Sequence, residues 1–306
     1  MGHNHSHAPT AAAGYAGARH RWRLGVAFGL IAAFFVVELV YGLLSGSLAL
    51  LSDAGHMAAD VVTLAAALLA TRIAARPDTT GRRSYGSYRA EVFASGFAVL
   101  MMLGVAVYIV IEAIGRIDGH DAEISTTPML VVGSLGLVVN IAAMVLLRAG
   151  ASESLNVKGA YLEVVADTAG SVGVIVAGVL VAVTGRTVFD TVVAVAIGVF
   201  VVVRAISLGR QVFAVLAQHV PEGMDAETVA GDLAAIDGVQ DVHDLHLWTL
   251  TSGMHVATAH LVTCDEGTTH AVLDQAREVL RERHGVAHAT LQVEPSDHRG
   301  CGELGW

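Results

Sequence analysis

The sequence predicts an all-α membrane domain of six transmembrane helices followed by a small cytoplasmic α+β domain, and three observations predict it. Of 306 residues, 54% are hydrophobic and 15% charged, with a mean hydropathy of +0.60, a composition far from that of an ordinary soluble domain. Charges are sparse between Leu24 and Val203 and dense from Glu222 onward. Six apolar runs, each long enough to cross about 30 Å of hydrocarbon, fill the first part.

A polar tail, 1–22, comes first, and its alternating His3, His5 and His7 fit a metal-collecting segment and a merely solvated one equally. The first apolar run starts after about twenty polar residues and no small-residue cleavage motif closes it, so it reads as a retained span. Within a membrane domain expected at 23–211, the runs are Leu24–Leu44, Leu48–Ile73, Val92–Ile114, Pro128–Leu147, Ala160–Val183 and Val188–Leu208. Arg19, Arg21 and Arg23 precede the first, Arg72, Arg76, Arg82, Arg83 and Arg89 join the second and third, and Arg148 and Lys158 flank the fourth connection. Positive charge gathers on the cytoplasmic side of membrane proteins, which places both termini there. Lys158 is the one lysine in the chain. This bias points to a GC-rich bacterial genome, and the expected location is the bacterial cytoplasmic (inner) membrane.

The cytoplasmic domain is expected at 212–296. Pro221 marks a break, and Asp225–Ile236 reads as an amphipathic helix. Val239–Leu250 and Met254–Thr263 alternate as strands around Thr251-Ser252-Gly253, Thr268–His284 has helical spacing, and Ala289–Val293 is a short strand. That order fits an open-faced sandwich in which a sheet packs one face against two helices. The tail 297–306 follows, with Asp297, His298 and Cys301 as a weak metal-binding cluster. Cys264 and Cys301 form no Cys-x-x-Cys pair and no disulfide framework, which fits a reducing compartment. The net charge of -10, with no basic stripe, excludes nucleic acid as a partner.

Two spans carry side chains of metal-ligand type one turn apart. In span two, His56 and Asp60 are four residues apart and project from nearly one side of a helix, with Asp53 on the same face. Span five repeats the spacing with Glu163 and Asp167. At 1.5 Å of rise per residue, His56 and Asp60 lie roughly 12 to 18 Å below the outer end of their span, and Glu163 and Asp167 a similar distance from the inner end of theirs. Because the spans run in opposite directions, the pairs meet near the midplane and offer one nitrogen and three carboxylates to a common centre. A lone carboxylate at that depth costs at least about 2.5 kcal/mol. A dipositive ion offsets that cost, and so do protons once the ion has left, because low dielectric disfavours the charged carboxylate. Metal ligands must be deprotonated, so loading releases protons and metal-for-proton exchange follows.

Polar side chains in spans also serve as glue between helices, the reading that best fits Asn140. Two acidic pairs at matching depth exceed what glue needs. Glu112 pairs with Arg116 at i+4, whereas Glu38 fits a path-lining group and a neutral hydrogen-bonded one equally. A metalloenzyme would need a His-Glu-x-x-His motif or a nucleophile with its base, and neither stands in a span. A membrane-anchored metal sensor would not need six spans with buried acids, and an exporter of organic cations would not need paired i, i+4 ligands. The reading that remains is transport of divalent cations, with no enzymatic activity and no organic cofactor.

The stretches Ser47 to His56 through Asp60, Tyr85-Gly86 with Arg89-Ala90-Glu91, Asn156 through Ser171 with Gly173, Val220-Pro221-Glu222-Gly223 and Val242 to Trp248 together resemble the cation diffusion facilitator family, the proton-coupled zinc exporters of bacteria and eukaryotic organelles. The likeness covers nearly the whole chain. It implies a homodimer, six spans per subunit, a cytoplasmic metallochaperone-like (ferredoxin-like) domain, and a tetrahedral transport site from spans two and five. Zinc-selective members usually place His at the position of Glu163, so the site implied here is His56, Asp60, Glu163 and Asp167. Zn²⁺ accepts such a set, while its oxygen-rich character also suits Mn²⁺, and Cd²⁺, Fe²⁺ or Co²⁺ can compete. The 74–88 loop has no His, so the accessory site of some members is expected to be absent. By the same resemblance His243, His260, His270 and Glu294 occupy cytoplasmic metal-binding positions. A polar strand face explains these residues equally well. His246 is expected on the face opposite His243.

Overall fold

The computed structural model describes residues 14–74, 85, 88–117, 124–151, 155–251, 253–263 and 269–296. The tail histidines His3, His5 and His7, most of the 74–88 loop, Cys264 and the Asp297–Cys301 cluster lie outside the described residues. The chain divides into two compact units, one carrying the helices up to Arg210, the other the chain from Gln211 onward together with 78–92.

The first unit consists of six helices: α1 (Gly14–Ser45), α2 (Leu48–Ala74), α3 (Ala90–Ile117), α4 (Thr126–Ala151), α5 (Leu155–Thr184) and α6 (Val188–Leu216, whose last residues pass into the second unit). Among the described residues five stretches are long and apolar enough to cross a membrane: Gly25–Ser45, Val92–Arg116, Thr126–Ala149, Glu163–Thr184 and Val188–Leu216. Helix α2, 27 residues long, carries Asp53, His56 and Asp60 and is not among those five. Outward positions stay apolar: Leu44, Phe93, Leu100, Ile111, Val145 and Val183 each keep more than half their surface uncovered. Such surfaces suit a hydrocarbon solvent and would be a liability in water.

Inside, Leu48, Leu50, Met57, Ile109, Met129, Val174 and Ala194 form one core that draws on α2 to α6. Small residues set the helix spacing. A side chain at Gly55 would meet Val105 at 2.2 Å, one at Gly136 would meet Phe34 at 2.6 Å, and one at Gly170 would meet the Asp53 carboxylate at 2.5 Å. Close helix approach through glycine is how bundles gain contact where burial from water supplies no force. Asn140 donates to the Ser171 hydroxyl at 3.2 Å, tying α4 to α5 as glue.

The turn between α1 and α2 is held from a distance. Gly46, at φ 67°, ends α1. The first N–H groups of α2 then need acceptors, and fully buried Asp190 of α6 provides them: Leu48 N–H donates at 2.8 Å, Ala49 N–H at 3.3 Å and the Ser47 hydroxyl at 2.7 Å. Arg116 of α3 completes the cluster, donating to Asp190 at 3.0 Å and to the Gly46 carbonyl at 2.7 Å. The expected Glu112–Arg116 contact is present at 3.6 Å, but Asp190 is the nearer partner.

In the second unit, α7 (Ala226–Ala234) precedes β1 (Val239–Thr251) and β2 (Met254–Thr263), then α8 (Thr269–Glu282) and β3 (His288–Pro295). Asp225 caps α7 by accepting from the Thr228 hydroxyl and backbone N–H, which holds its carboxyl below the usual range. The sheet order is β1-β2-β3, with β1 antiparallel and β3 parallel to β2. The parallel neighbour requires a crossover, which α8 supplies. Val229, Leu233, Leu247, Ala257, Ala259, Leu261, Val272, Ala276 and Leu280 close the core between the helices and one sheet face. Even-numbered positions of β2 carry the other face.

Candidate metal centres

His56 and Asp60 sit on the face of α2 turned to α5, where Asp167 meets them. His56 Nε2 lies 3.2 Å from Asp167 Oδ1 and 3.6 Å from Asp60 Oδ2. One ligand atom from each of the three lies within 4.8 Å of the others. Phe200 of α6 packs edge-on against the His56 ring, centroids 5.6 Å apart, and fixes its orientation. Asp60 Oδ2 and Asp167 Oδ1, both near His56 Nε2, are buried with no hydrogen-bond partner among the described residues. Buried polar atoms are normally satisfied, so orphans converging on one point mark a place built for something else.

Glu163, expected as the fourth member, stands apart from these three. It is 43% exposed, at the edge of the cluster, and its carboxylate is paired with the Arg204 guanidinium of α6. The same guanidinium lies 3.5 Å from Asp60 Oδ1 and 3.1 Å from His56 Nε2. Sequence reasoning overlooked Arg204, although the signal was present: a lone arginine inside the apolar run Val201–Ala205 is expensive in a span and therefore purposeful. Glu38, buried in α1, has the Asp53 side chain as its hydrogen-bond partner, with Asp167 of the cluster within electrostatic reach.

The second cluster lies on the open face of the cytoplasmic sheet. His243 and His260 are cross-strand partners with ring centroids 5.0 Å apart. Glu294 of β3 reaches both: His260 Nδ1 is 2.9 Å from Oε1 and His243 Nε2 is 3.4 Å from Oε2. Gln292 also donates to Glu294 Oε1 at 2.7 Å. Ligand atoms of His243, His260 and Glu294 again lie within 4.8 Å of one another, a spacing that suits a metal ion. His270, in the first turn of α8, is exposed and is not one of the three. His284 pairs with Asp232 at 2.9 Å and ties α8 to α7.

The expectation for His246 needs correcting. His243 pairs with His260 and His246 with Thr258, so three steps on β1 match two on β2. The extra residue is a bulge at Asp244, whose φ of 53° is left-handed. His246 therefore shares the face of His243, and its Nε2 lies 3.0 Å from Asp244 Oδ1. The other Asp244 oxygen is 3.8 Å from His260 Nε2.

Residues 24–217 match the cation efflux transmembrane domain, and 221–296 the cation efflux protein cytoplasmic domain. The metal cation efflux system protein CzcD of Cupriavidus metallidurans is 40% identical over 96% of this chain and 90% of its own length. The zinc transporter ZitB of Escherichia coli is 35% identical, covering 96% and 93%. The cadmium, cobalt and zinc/H(+)-K(+) antiporter of Bacillus subtilis is 31% identical, covering 97% and 93%. Among solved structures, the metal-bound C-terminal domain of the Cupriavidus transporter is 34% identical, covering 23% of this chain and 99% of its own, with a TM-score of 0.22. The chain belongs to the cation diffusion facilitator family of multi-pass metal-cation exporters.

Proposed function

We propose that the chain exports divalent cations, zinc among them, from the cytoplasm in exchange for protons. The observation that carries this reading is the meeting of buried His56 and Asp167 with half-buried Asp60, the two carboxylates each with an orphaned oxygen, between two helices of an apolar bundle. One imidazole and two carboxylates bind a dipositive ion well, and Glu163 can add a fourth ligand by turning from the edge of the cluster. The ion binds only deprotonated ligands, so its release to the far side is matched by proton uptake at the same atoms. Cadmium and cobalt, for which the Bacillus relative is named, are the cations to test beside zinc. An oxygen-rich donor set accommodates them.

In this reading α2 is the sixth span, both termini face the cytoplasm, the membrane is the bacterial inner membrane, and the chain works as a homodimer. The name of the cytoplasmic-domain family, ZT_dimer, supports the last point. His243, His260 and Glu294 hold a second ion outside the membrane, while His270 takes no part within one subunit. Transport into proteoliposomes tests the proposal. Asp60→Ala and Asp167→Ala should each abolish Zn²⁺ uptake against a proton gradient, and undiminished uptake in both would sink the site assignment.

A further inference from the structure

Arg204 places a fixed positive charge among the very atoms that a cation would use. A guanidinium has donors only. Facing His56 Nε2 at 3.1 Å, it meets the lone pair that a metal ion would take, and at 3.5 Å it competes for Asp60 Oδ1. Asp167 Oδ1, 3.2 Å from the same nitrogen, is left without a hydrogen-bond partner among the described residues, as expected if that nitrogen is accepting from Arg204. The third contact, to Glu163, is a close ion pair on the outer side of the cluster.

Charge completes the argument. With its carboxylates ionised, the group of Asp60, Asp167, Glu163 and Arg204 carries a formal two minus. A carboxylate in place of a neutral imidazole would add one negative charge, and at membrane depth an unbalanced charge is costly. Arg204 removes that excess. Arginine suits the task because its planar fork reaches several acceptors at once, which an ammonium does not.

We propose that Arg204 serves as the site's own cation between one metal ion and the next: an incoming ion displaces the guanidinium from Asp60 and His56, while its pairing with Glu163 makes the two one neutral unit. Arg204 is thus a positioning residue that sets affinity and the ease of release. The inference rests on the transport-site reading above, yet fails separately from it.

The test is Zn²⁺ flux in proteoliposomes, reading half-saturating concentration and maximal turnover for Arg204→Gln, Glu163→Gln, the double variant and Arg204→Lys. Without its competitor the site should hold the ion harder, so Arg204→Gln should lower half-saturation by about tenfold and slow maximal turnover by a similar factor. Glu163→Gln frees the guanidinium to compete and should raise half-saturation by about tenfold. The double variant restores the formal charge and should return to within about threefold of the native chain, whereas Arg204→Lys, which keeps the charge but loses the fork, should fall between the native chain and Arg204→Gln. A merely structural tie predicts otherwise. Half-saturation unchanged or raised in Arg204→Gln, a double variant no better than Glu163→Gln, or an Arg204→Lys variant as altered as Arg204→Gln would overturn the proposal. Asp60→Ala and Asp167→Ala run alongside: full transport in these overturns the site itself, whereas their silence with an unshifted Arg204→Gln overturns this inference alone.

Discussion

Arg116 of α3 and Asp190 of α6 meet at 3.0 Å, buried at the turn where α1 passes into α2. Removing one member of a buried pair strands the other, at a cost of about 3–5 kcal/mol, while removing both for apolar groups costs far less. Asp190→Ala should therefore lower the thermal midpoint of the purified chain sharply. The Asp190→Ala/Arg116→Leu double variant should recover part of that loss, but not all, since the N–H groups of Leu48 and Ala49 still lack their acceptor. Thermal unfolding in detergent decides the matter: equal midpoints for the single and double variants would mean that the pair contributes nothing as a pair.

Metal should stabilise the cytoplasmic unit through His243, His260 and Glu294. An ion that binds only the folded state adds about 2.7 kcal/mol at a hundredfold excess over its dissociation constant. Zn²⁺ should raise the unfolding midpoint followed by Trp248 fluorescence, and a chelator should reverse the rise. In His260→Ala the shift should vanish, whereas in His270→Ala it should persist. Persistence in His260→Ala would refute the cluster.

The pH dependence of this unit should carry a mark of His255. Burial pushes its imidazole below the ordinary value, and its Nδ1 lies 3.1 Å from the Thr249 hydroxyl. The unfolded chain then takes up a proton first as pH falls, so the contribution of His255 is complete above about 6.5 and is lost as pH drops through the lowered folded value. His255→Gln should flatten the decline in thermal midpoint as pH falls below about 6.5. A slope identical to that of the native chain would rule His255 out as its source.

Much of this architecture is legible in the sequence because the signals are local. Apolar runs marked the six helices of the first unit, and period-two alternation against helical spacing marked the order α7, β1, β2, α8, β3 in the second. The i, i+4 pairs on α2 and α5 could be placed by depth, and His56, Asp60 and Asp167 do meet. Glu163 departs from the expected set because its nearest partner, Arg204, is 41 residues further along and reaches it only through the packing of α6. Asp190 is hidden for the same reason, since it caps a helix 142 residues earlier in the chain. The bulge at Asp244 is a third kind of case. Aspartate tolerates left-handed backbone better than most residues, but nothing local says that it does so here, and one unforeseen residue moved His246 across the sheet.

The anchoring of Leu48 and Ala49 by Asp190 has a mechanical side. A helix gripped at one end swings as a lever, and displacement along it grows with distance from the grip. His56 and Asp60 ride about 12 and 18 Å out along α2, so a tilt of about 10° carries Asp60 about 3 Å and the His56 backbone about 2 Å. That is enough to part the ligands from Asp167, while the turn at Gly46 stays still.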